Sequence, residues 1–160
     1  MKTNSTRYKK TATAGFSLVE VLIALVIMSV GMLGIAGLYV HTMQAGRTSL
    51  FRHHAVTLAG DVADRIRANP LAGVGYIVAG VDNNCVAGGI DCTRTEMAQH
   101  DIFLWAQQAR DTLPVGTVNI VFNNAIVPAT YQITINWIEA GWNGPGGNPQ
   151  YRITIPVFGI

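Results

Sequence analysis

The sequence predicts an α+β protein in which one long N-terminal helix packs on a small antiparallel sheet. Three observations carry this expectation. The stretch from Val21 to Val40 holds no charged residue. From Phe51 to Ile66 apolar residues recur at helical spacing, and after Pro114 three segments alternate apolar and polar residues with period two. Of the 160 residues, about 110 remain beyond the N-terminal segments, enough for one small domain with its own core.

Residues 1–15 carry Lys2, Arg7, Lys9 and Lys10 and no acid. As a helix, Val21 to Val40 spans roughly 30 Å, the thickness of a bilayer's hydrocarbon core. Basic residues before the span and none within it hold the N-terminus in the cytoplasm. Glu20 is the odd member, a carboxylate at the very start of the apolar segment. On insertion scales such a charge costs about 2.5–3.5 kcal/mol at mid-bilayer, and less near an edge. A helix that only anchored would gain nothing from it, so Glu20 calls for a partner.

The stretch Gly15-Phe16-Ser17-Leu18-Val19-Glu20, followed by Val21-Leu22-Ile23-Ala24-Leu25-Val26-Ile27-Met28, resembles the class III signal peptide of type IV pilins and type II secretion pseudopilins. The resemblance implies that a prepilin peptidase cuts between Gly15 and Phe16 on the cytoplasmic side and methylates the new N-terminal amine of Phe16. It implies that Glu20, fifth in the mature chain, forms an assembly ion pair with the first residue's amine of a neighbouring subunit. Two other readings compete. A secretory signal would be cut after its apolar core, near Gly34-Ile35-Ala36-Gly37, but this run is long for such a core. A plain signal anchor predicts the same topology. Neither uses Glu20.

Charge then reads differently before and after processing. The precursor has a net charge of +2 and an isoelectric point near 8.7. Loss of the leader removes four of the eleven basic residues and none of the nine acidic ones, leaving −2 with His neutral. No strongly basic patch survives, so nucleic acid is not an expected partner. The expected partners are other major and minor pilins, prepilin peptidase, the pilus assembly machinery and inner-membrane lipid.

Cys85 and Cys92 enclose Val-Ala-Gly-Gly-Ile-Asp. With the N-terminus inside, both lie in the periplasm, where disulfides form and persist. A disulfide is therefore preferred over a metal site, for which two Cys without a nearby His supply half of a zinc shell.

Beyond His41 the apolar positions Phe51, Ala55, Leu58, Val62 and Ile66, with Ala59 and Ala63 beside them, form the stripe of an amphipathic helix. Asn69-Pro70 stops it, because proline disfavours helix in the residue before it. Phe16 to Ala68 thus reads as one helix of roughly 80 Å. Its membrane and assembly half is 16–40, and its remainder opens a periplasmic head, 41–160. Gly31, Gly34 and Gly37 either let membrane helices approach closely or weaken the helix locally. The segment Asp61–Pro70 with Tyr76 looks like the corresponding stretch of PilV-type minor pilins, the type IV pilus modification proteins. That resemblance implies a Cys-flanked loop, then a helix with a Trp, a Leu-Pro and strands, in the order found here. Arg65 and Arg67 read as a solvated helix end favoured by the helix dipole.

Residues 70–94 show no period and read as the loop bearing the Cys pair. A second helix is expected over 95–113, capped by Thr93 or Thr95 and ended by Pro114, although Met97, Ile102, Leu104, Trp105, Ala109 and Leu113 are imperfectly spaced. Antiparallel strands are expected within 116–158. Val118, Ile120 and Phe122 begin the series, Tyr131, Ile133, Ile135 and Trp137 continue it, and Tyr151, Ile153, Ile155 and Val157 close it. Pro156 suits an edge strand.

No P-loop, GxSxG or HExxH occurs. Asp61 and Asp64, three apart on one helix, read as a solvated face rather than an acid/base pair. No catalytic residue, metal ligand or cofactor is expected, and the chain is not expected to be an enzyme. The function expected is that of a minor pilin, inserted in the bacterial inner membrane as a single-pass protein and assembled into a pilus, or fimbrium, at the cell surface. The alternatives are a minor pseudopilin of type II secretion, or an anchored adhesin using the Gly141–Pro149 loop with Trp142.

Overall fold

A computed structural model describes residues 15–86, 91–142, 144 and 147–157. Helix α1 runs Leu18–Ala68 and is followed by a short 3-10 segment, Pro70–Ile77. Helix α2 is Arg94–Thr112. Strands β1 (Thr117–Asn123), β2 (Ala129–Asn136) and β3 (Gln150–Val157) form one antiparallel sheet in that order. Contacts divide the chain into two compact units between Gln44 and Ala45.

The first unit contains the start of α1, whose residues are exposed on every side. Among the described residues, one helix has the length and apolarity to cross a membrane, and its most apolar window has a mean hydropathy of 2.6.

The second unit is built around the stripe read from the sequence. Ala55, Leu58, Ala59, Val62, Ala63 and Ile66 are all buried, with Phe51 packed at the margin. The stripe shares one core with Tyr131, Ile133, Ile135, Ile155 and Val157 of the sheet and with Trp105, Ala109 and Leu113. The sheet register brings the alternating faces together: Phe122 lies opposite Tyr131, and Tyr131 opposite Ile155. Ile120, Ile133 and Ile153 form the next row. β3 is an edge strand, which accommodates Pro156. Trp137 falls just outside β2. Its amide donates to the Pro149 carbonyl at 3.2 Å, and the side chain is buried in the core.

Two expectations are corrected. Residues 70–77 form 3-10 turns on either side of a kink at Gly73, where φ is 50°. Pro70 starts the 3-10 segment, where its fixed φ and missing N–H cost nothing, and the segment turns Ala72 and Tyr76 into the core. Arg65 is not a solvated helix end, for reasons given below. α2 begins at Arg94 and ends at Thr112. Thr93 is its N-cap: its hydroxyl accepts from the Glu96 amide at 3.3 Å, while its own amide donates to Glu96 Oε2 at 2.8 Å.

Between α2 and β1 the chain turns tightly. A Cβ on Gly116 would stand 2.1 Å from the Ala109 carbonyl oxygen, so only glycine fits there. Its neighbour Val115 adopts φ of 52°, a left-handed conformation that a β-branched residue rarely takes.

Candidate assembly interface

Gly15, Phe16 and Ser17 precede α1 and are not helical. The Ser17 carbonyl accepts from the amides of Glu20 and Val21 at 3.0 and 3.2 Å, which starts the helix. Glu20 therefore sits in the first turn, where a carboxylate complements the helix dipole. Phe16 is 84% exposed, and Glu20 is exposed beside it. The remainder of the proposed leader, 1–14, lies outside the described residues.

Past Glu20 the surface is continuously apolar: Leu22, Ile23, Leu25, Val26, Ile27, Val30 and Leu33 are all more than half exposed. The Ser29 and Thr42 hydroxyls are satisfied within the helix. Ser29 Oγ donates to the Val26 carbonyl at 2.8 Å, and Thr42 Oγ1 donates to the Tyr39 carbonyl at 2.8 Å. A helix surface with its polar groups closed off internally suits a lipid or helix-bundle environment. No atom lies within 4 Å of where a Cβ would stand on Gly31, Gly34 or Gly37, so this stripe is open to a neighbour.

Residues 10–36 match the family model of the prokaryotic N-terminal methylation motif. Residues 37–103 match a second family model, described as type IV pilin Tt1218. Together the two matches support a type IV pilin. No curated protein and no solved structure matches the chain. The role of a pilin is structural rather than catalytic. The methylation motif and the apolar helix fit a pilin anchored in the membrane, processed by prepilin peptidase and associated with other pilins.

The second unit is tied together by a polar cluster that sequence reasoning missed. Arg65 Nη1 donates to Asp101 Oδ1 at 2.9 Å, joining α1 to α2. Arg65 Nε also lies 3.3 Å from Asp61, and the Trp105 indole N–H donates to Asp61 Oδ2 at 2.9 Å. The Tyr76 hydroxyl stands 3.3 Å from the Arg65 carbonyl and 3.4 Å from Asp101 Oδ2. Asp61 is thus a junction rather than half of a solvated pair, whereas Asp64 pairs with Arg67 near the surface at 2.9 Å. Burial pushes the Asp101 carboxyl above the usual carboxylate range, against the pull of Arg65 and Tyr76. Burial and the charge of Asp101 also raise the Tyr76 phenol. The Tyr131 hydroxyl donates to the Gly73 carbonyl at 2.6 Å, and burial pushes its pKa up to about 12.

Cys85 and Cys92 are joined by a disulfide with an S–S distance of 2.03 Å. The approach to it is pinned to α2: Val81 N–H donates to the Gln99 carbonyl at 3.0 Å, and Asn83 Nδ2 to the Glu96 carbonyl at 2.9 Å. The cluster's two acids, its one cation and its Tyr and Trp are all visible in the sequence, but nothing local links Arg65 to a partner 36 residues away.

Proposed function

We propose that this chain is a minor pilin of the PilV type, cleaved between Gly15 and Phe16, methylated at Phe16, and taken up into a type IV pilus or used to prime its assembly. The chain enters the inner membrane with its basic end in the cytoplasm and its head, 41–160, in the periplasm. The observation that carries the reading is the start of α1: an exposed Phe16, a first-turn Glu20, and an outward-facing apolar surface with no second carboxylate up to residue 60.

As the apolar helix moves from lipid into a bundle of its own kind, Glu20 needs a buried cation of matching position. An ion pair in such surroundings is favourable only when both members are buried together with good geometry, and leaving one unpaired is costly. The freed amine of a neighbouring subunit's first residue is that cation, so the pair fixes helix register during stacking. The Glu20→Ala variant should insert in the membrane normally and be incorporated into filaments at least tenfold less. Unchanged incorporation would overturn the mechanism. The match to a type IV pilin over 37–103 supports a pilus over a secretion role. Deletion should abolish surface pili and leave exoprotein secretion intact, and the reverse pattern would make the chain a pseudopilin.

A further inference from the structure

At one end of the head, Arg52, Val56, Trp137, Trp142, Gln150 and Tyr151 line a cleft of about 380 Å³. That volume lies at the small end of the ligand-pocket range, which runs from about 300 to 1,000 Å³. The wall is aromatic, yet its polar groups are poorly matched within the protein. Trp137 is only 2% exposed, and among the described residues its indole N–H and that of Trp142 are buried without a hydrogen-bond partner.

The cleft is also held in shape. The Arg52 guanidinium lies 5.6 Å from the Trp142 ring centroid. Gly144 packs so closely that a Cβ there would stand 2.3 Å from the ring. No carboxylate pairs with Arg52 among the described residues. Gln150 accepts from Arg152 at 3.3 Å through its oxygen, which leaves its amide N–H groups available to donate.

We infer that this cleft binds a saccharide unit, with Trp142 and Tyr151 covering an apolar ring face and Arg52 and Gln150 donating to ring and hydroxyl oxygens. A purely apolar ligand would leave the donors unpaired. Single-stranded nucleic acid requires a positively charged track along its backbone, and the mature chain carries a net charge of −2. A saccharide satisfies both halves of the wall, because one face of a pyranose is C–H and its rim carries oxygens that accept. The inference is independent of where the subunit sits in a filament.

The test uses the full chain purified in a phosphocholine detergent, which contributes no sugar. Saturation-transfer NMR is recorded with maltose, lactose, chitobiose and an oligogalacturonate, with a thymidine oligonucleotide as the competing class. At least one saccharide should bind with a Kd in the millimolar range or tighter. Trp142→Ala should weaken it tenfold or more at an unchanged unfolding temperature, and Trp142→Phe, which keeps a ring but no N–H, should weaken it less. Arg52→Gln, at an exposed helix position, provides a second variant that leaves the core intact and should weaken binding at least threefold. Absence of binding by all four saccharides, binding of the oligonucleotide alone, or binding undiminished in both Trp142→Ala and Arg52→Gln would overturn the assignment.

Discussion

Arg65 on α1 donates to Asp101 on α2 at 2.9 Å, and the two side chains are unequally buried: Asp101 is 4% exposed and Arg65 42%. The carboxylate is thus the member that depends on the pair. Arg65 keeps access to water and also has Asp61, while among the described residues the side-chain hydrogen bonds to Asp101 come from Arg65 and the Tyr76 hydroxyl. Hydrogen bonds to charged groups contribute about 1.5–3 kcal/mol each, and a buried group left unmatched costs a similar amount. Asp101→Ala should therefore destabilise the head by about 2 kcal/mol in denaturant unfolding. Arg65→Ala should cost about as much or more, because it strands a buried carboxylate. In a double-mutant cycle the two changes should be clearly non-additive.

The pH dependence follows from the same burial. Unfolded tyrosine titrates near 10, whereas Tyr131 in the fold titrates at about 12 and Tyr76 is raised as well. The folded state keeps protons that the unfolded chain releases, so stability falls as pH rises from about 10 towards 12. Below pH 10 these two groups contribute no slope. Equilibrium unfolding followed against pH should show an alkaline decline that Tyr131→Phe makes shallower, even though that variant is less stable at pH 7 for want of its bond to the Gly73 carbonyl. Acid acts elsewhere. Glu96 is held below its usual value by hydrogen bonds from Thr93, so the cap of α2 is lost as pH falls through that lowered value.

Val115 and Gly116 make opposite predictions side by side. Left-handed backbone costs a residue with a Cβ about 1–2 kcal/mol, and Val115 adopts it while 69% exposed. Val115→Asn should raise stability by about 1 kcal/mol, since asparagine tolerates that region far better. Gly116→Ala should lower stability by 2 kcal/mol or more, roughly the scale of overpacking into rigid backbone, because its methyl group would meet the Ala109 carbonyl. Thermal unfolding of the two variants measures both.

The long helix and the sheet were legible because their patterns are local. Ala55, Leu58, Val62 and Ile66 repeat every three or four residues, and Tyr131, Ile133 and Ile135 every two, so each face could be read from neighbours alone. α2 was blurred because its inward face, from Ala98 through Trp105 to Ala109, also carries His100 and Asp101, both buried. Polar residues on a core face break an apolar stripe. The 3-10 segment escaped for the same kind of reason: Leu71 and Val74 point outward while Ala72 and Tyr76 point in. Arg65 was misread because its helix position favours a solvated cation, and its carboxylate comes from a different element. Phe16 and Glu20 were legible as a motif, since they stand close together in sequence at the start of one helix.

The processing of that motif is the claim on which the assembly account rests. The most direct measurement is the intact mass and N-terminal sequence of the protein recovered from membranes and from sheared filaments. The account predicts a chain that begins at N-methylated Phe16 and lacks residues 1–15. A chain retaining Met1, or one cut near Ala36, would contradict it and leave Glu20 without a role.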